Sequence, residues 1–78
     1  MDEIHKLRIE IDKVDNLILK NLGNRKELVK LIKQVKKRDK IEIVDKSRES
    51  EILTKAKDQY QKNIYEKILL ESRKLQAE

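Results

Sequence analysis

Arg8, Arg25, Lys36 and Arg48, spread over the first two-thirds of the 78-residue chain, and Ser72 and Gln76 near its other end, are the groups whose types and spacing can do chemistry. Arg25 and Lys36 are eleven residues apart. On a helix that is three turns and about 20° of rotation, so the two lie on nearly one face at ~16 Å, and long side chains converge across that gap. Arg8 stands seventeen residues before Arg25, or ~25 Å along a straight helix, too far for both to hold one small molecule within a chain. If Arg8 serves a site, it serves another protomer's. An antiparallel pairing of two long helices would bring Arg8 of one chain toward the middle of its partner and make two equivalent sites by two-fold symmetry. With Arg48 one turn into a second helix, the result is a cavity with several cations and few acids, suited to a small polyanion such as a dicarboxylate.

Other chemistries lack their residues. There is no Cys and a single histidine, His5, so no Ser-His-Asp or Cys-His set, no thiolate and no clustered metal ligands are available, and no glycine-rich phosphate loop occurs. A catalytic pocket in this chain therefore works by holding and polarising a substrate, and no cofactor or metal is expected. The net charge is +5, which favours anionic partners, but the acids are scattered among the bases along every segment, as on solvated helix faces. Tyr60 and Tyr65 are the only aromatics. With neither a basic stripe nor stacking residues, no nucleic-acid partner is expected. No apolar run approaches the ~20 residues of a membrane span and no charged-then-apolar leader precedes the first helix, so we expect a cytoplasmic protein without a membrane partner.

The elements that position these groups read as all-α. Ile4, Leu7, Ile11, Val14, Ile18, Leu28, Ile32 and Val35 recur in alternating steps of three and four, a heptad seam on one long helix from about Asp2 to about Lys37. Gly23 costs ~1 kcal/mol relative to Ala, yet the seam keeps its phase across it, which predicts a continuous helix. Asn21 and Arg25 interrupt the seam. A guanidinium there costs several kcal/mol unless paired, so either something anionic meets Arg25 or its stem bends outward and keeps the head in water. Ile41 to Val44 reads as an extended connector packed through Ile43 or Val44. Asp45 is the expected N-cap of a short second helix, with Ser47 as an alternative and Glu49 in the first turn, and the pattern fades near Asp58 to Gln61. Asn63 and Glu66 have capping-box spacing and predict the start of a third helix reaching nearly to the C-terminus. Ile64, Ile68, Ser72 and Gln76 follow at steps of four, so an apolar stripe turns polar there, either at a site or at a fraying end. Residues 1–78 form a single domain of one long and two shorter helices, too small for a large private core, and oligomerisation is the expected remedy.

Taken in order, these residues resemble the all-α (AroQ-class) chorismate mutases, which convert chorismate to prephenate by an intramolecular Claisen rearrangement. The resemblance spans nearly the whole chain. It rests on Leu7-Arg8 followed by Ile11, Val14 and Asp15, then Asn24-Arg25-Lys26-Glu27-Leu28, Lys36, Asp45-Lys46-Ser47-Arg48-Glu49, and Leu70-Glu71-Ser72 with Gln76. It implies an intertwined homodimer in which Arg25 and the partner's Arg8 bind carboxylates and Arg48 borders the pocket. It implies further that Lys36 and Gln76 donate to the ether oxygen of the breaking bond. Glu49, helped by the backbone near Asp45, would accept the ring hydroxyl; Ser72 would be a polar contact at the carboxylate end, and Ile32, Ile52 and Leu69 apolar walls. The stretch from Glu49 to Ser72 is shorter than is usual in the family by roughly two turns, Gly23 stands where a helix former is expected, and Arg73 stands where an apolar residue is often found. Two other readings compete with the mutase: an isochorismate-pyruvate lyase of the same fold, and a non-enzymatic basic module that dimerises through the long seam. Lys36 with Gln76 and Glu49 favours the mutase.

Overall fold

The long seam forms one unbroken helix. The computed structural model describes residues 2–78, and α1 spans Glu3–Asp39, two residues beyond the expected end. Asp2 caps it by accepting from the His5 backbone N–H at 2.7 Å. Gly23 lies inside, and a Cβ built on it meets nothing within 4 Å. At the other end Lys40 takes the left-handed conformation with φ 56°, a place usually given to glycine. Its N–H and that of Ile41 both return to the Lys36 carbonyl. The basic last turn, Lys36 to Arg38, complements the helix dipole there.

Residues 41–45 form an irregular connector. α2, Lys46–Thr54, starts where its cap is expected, with the Asp45 carboxylate accepting from the Arg48 N–H at 3.0 Å. It ends at Thr54, short of Asp58 to Gln61 where the sequence pattern fades.

α3 spans Gln59–Ala77 and begins a turn earlier than Asn63. Its cap is Asp58, which accepts from the Gln61 N–H at 2.8 Å, while the Gln61 side chain reaches back to the Lys57 N–H at 2.9 Å. Asp58-Gln59-Tyr60-Gln61 thus holds the working capping pair. Asn63 is inside the helix, where its side chain accepts from Gln59 at 2.7 Å. Between Glu49 and Ser72 the chain completes α2, makes a four-residue connection between Thr54 and Gln59, and runs most of the way along α3.

α3 is the element on which both other helices pack. Val29 and Leu69, where α1 meets α3, are the buried apolar side chains, and among the described residues twenty large hydrophobic side chains stay exposed. The chain extends 56 × 24 × 16 Å with a radius of gyration of 16.1 Å, well above the ~11.5 Å of a compact globule of this length. The long dimension is α1 itself. Its first half carries Ile4, Leu7, Ile11 and Val14, each more than half exposed.

Candidate active site

The second half of α1, the connector, α2 and the end of α3 enclose a cavity of about 280 Å³. Its lining includes Arg25, Lys36, Asp45, Arg48, Glu49, Ser72 and Gln76, with Ile32, Ile52 and Leu69 as apolar wall. Arg8 does not line it and lies exposed in the projecting half of α1. Seven of the eight polar residues singled out in the sequence are therefore gathered in one place, and the eighth is on the free part of the longest helix.

Arg25 is half-buried, and its guanidinium donates to the Ser72 hydroxyl, which in turn donates to the Ile68 carbonyl at 2.8 Å. Within the chain Arg25 meets a neutral hydroxyl and no anion: the seam interruption points across to the polar part of the α3 stripe. No carboxylate among the described residues pairs with Arg25, so its charge remains for the cavity. Ser72 and Gln76 belong to the packed part of α3 and not to a frayed end.

Lys36 donates to the Ile43 carbonyl at 2.7 Å. That bond ties α1 to the connector and leaves two ammonium donors over. Of the two candidates for packing the connector, Ile43 lines the cavity. Asp45 is occupied as the α2 cap, and Arg48, over half exposed, pairs with Glu51 at 3.5 Å one turn along the same helix. The Gln76 amide donates to the Ser72 carbonyl over a long 3.4 Å, and its oxygen is buried without a donor. An unsatisfied buried acceptor costs ~1–3 kcal/mol.

Beyond the apolar Leu28, Val29 and Ile43, one charged lining residue is not among those the sequence assigns to the site. Arg73 donates to a Glu49 carboxylate oxygen at 2.6 Å, both side chains being largely withdrawn from solvent. The available signal was helical phase: Leu69, Ser72, Arg73 and Gln76 stand at steps of three, one and three, on one face of α3. With Arg73 included, the cavity holds four cations, Arg25, Lys36, Arg48 and Arg73, against two carboxylates, Asp45 and Glu49. The excess of two positive charges matches a dianion.

The described residues offer no group of three or more His, Cys, Asp or Glu that could hold a metal ion, and none of the helices is long and apolar enough to cross a membrane. An all-α scaffold and a cationic cavity with fixed donors suit a helical enzyme of the kind that holds and polarises a small anion. The comparison with protein families is specific: the chorismate mutase type II model matches residues 7–77, and the chain belongs to that family. It is accordingly an isomerase acting on chorismate. No curated protein and no solved structure matches the chain.

Proposed function

We propose that the cavity carries out the rearrangement of chorismate to prephenate by conformer selection and electrostatic stabilisation, in the synthesis of aromatic amino acids. The observation that carries this reading is the convergence of Arg25, Lys36, Glu49 and Gln76 on one cavity with two cations in excess. At about 280 Å³ the cavity is at the lower end of the ~300–1,000 Å³ of small-molecule sites. In the unimolecular reaction the C–O bond of the enolpyruvyl ether breaks as a C–C bond forms between the side chain and the ring, and no proton moves. The protein's task is to hold the compact diaxial conformer and to meet the charge that separates. Arg25, steadied by Ser72, takes one carboxylate. Lys36, with two donors left, and Gln76, held only by its long bond, meet the negative charge growing on the ether oxygen. Glu49 accepts the ring hydroxyl, and Arg48 borders the carboxylate end.

The second carboxylate clamp is the partner's Arg8 in a homodimer. The apolar side of the projecting half of α1 has no cover within the chain, and the elongation leaves a surface that a second α1 of the same seam fits. Two-fold pairing then delivers one Arg8 to each cavity.

Purified protein should consume chorismate, followed by loss of its absorbance, with prephenate as the product. Isochorismate run in parallel should persist. Release of pyruvate from isochorismate with chorismate untouched would replace the mutase by a lyase.

A further inference from the structure

Among the described residues, Glu49–Arg73 is the one ion pair that joins two helices; the others link residues within four positions along the chain. It connects the first turn of the nine-residue α2 to α3. Arg73 takes one carboxylate oxygen of Glu49, and no donor among the described residues reaches the other. A glutamate side chain has three rotatable bonds, and in the first turn of a short helix at the mouth of a cavity its default is to turn outward to water. A planar guanidinium anchored on α3 opposes that turn through a charge-assisted hydrogen bond.

We infer that Arg73 is the positioning residue for Glu49: by engaging one oxygen it holds the carboxylate in the cavity and presents the other to the ring hydroxyl of the substrate. This rests on the mutase reading above. Arg73 itself touches no reacting atom. Beyond the positive charge it adds to the cavity, its effect on turnover passes through Glu49 and falls on substrates that carry the hydroxyl. A role limited to fastening α2 on α3 would weaken turnover of every substrate alike.

The experiment compares chorismate with its analogue lacking the ring hydroxyl, in the wild type and in Arg73→Ala, Arg73→Lys, Glu49→Gln and the Glu49→Gln/Arg73→Ala double variant. Arg73→Ala should lower kcat/KM for chorismate roughly tenfold or more beyond its effect on the analogue, the scale of a lost hydrogen bond to a charged group, the analogue losing only what the cavity's reduced positive charge takes from both. Arg73→Lys, which keeps the charge and the fold but loses the planar fork, should show a smaller loss with the same selectivity, and serves if the alanine variant does not fold. The double variant should be no slower than Glu49→Gln. Equal losses on both substrates, or additive losses in the double variant, overturn the inference while leaving the mutase intact. A wild-type chain that leaves chorismate unchanged overturns the mutase reading and this inference with it.

Discussion

Mixing two inactive variants tests the shared site directly. Because α1 is continuous from Glu3 to Asp39, the rise per residue applies without interruption, and Arg8 and Arg25 of one chain stand ~25 Å apart. No single small ligand spans that interval, so an Arg8 that touches substrate touches the substrate of the other protomer. Take Arg8→Ala chains and Arg25→Ala chains, each inactive alone, and refold them together in equal amounts. Random pairing makes about half of the dimers mixed. In each mixed dimer, one site combines the intact Arg25 of one chain with the intact Arg8 of the other, and the second site lacks both. Activity should return to about a quarter of the wild-type value per chain, half of the dimers each carrying one of two sites. Were Arg8 to act within its own chain, each site of the mixed dimer would lack one arginine and nothing would return. The assay is chorismate consumption before and after co-refolding, with differently tagged chains to demonstrate exchange. Exchange without recovered activity refutes the shared site.

Lys36→Ala should lower kcat by about 10²–10³, the range for a lost preorganised donor, with helical circular dichroism unchanged, whereas Lys33→Ala, outside the cavity, should do little; a mild effect at Lys36 would remove it from the ether oxygen. Gln76→Glu should gain activity as pH falls, because only the protonated carboxyl can donate and the carboxylate repels the developing charge; a flat profile would mean that Gln76 faces elsewhere. Asp58→Ala removes the cap of α3 and should cost about 1 kcal/mol, read as a Tm lower by about 4–8 °C. Gly23→Ala, into open space in this chain, should stabilise α1 by about 1 kcal/mol; a destabilised protein would instead place a partner chain against Gly23.

Legibility in the sequence followed the range of the interactions. The heptad seam, repeated over many turns, specified α1 and its continuity through Gly23, and Asp45 specified the start of α2, since a side chain capping its own helix is a local event. The start of α3 was misjudged because two capping pairs, Asp58 with Gln61 and Asn63 with Glu66, compete within one turn. The earlier one forms, and its Gln61 also satisfies the Lys57 N–H of the connector. Between helices the residues gave less. Arg25 was visible as an interruption that needed a partner, but whether a carboxylate or a hydroxyl met it depended on the register of α3 against α1. Arg73 likewise acquires its meaning from a side chain on another helix, and no spacing along the chain announces that.

The uncovered half of α1 also bears on how this protein exists in solution. A chain whose buried apolar side chains are Val29 and Leu69 has little to hold it folded alone, so for the dimer proposed above folding and association become one equilibrium. Melting temperature then rises with protein concentration. Dilution separates protomers and unfolds them in the same step, and it removes Arg8 from the partner's cavity at that moment. Specific activity would therefore fall on dilution faster than any loss at the catalytic groups could explain, and a substrate analogue bound at the shared site would restore it by holding two chains together.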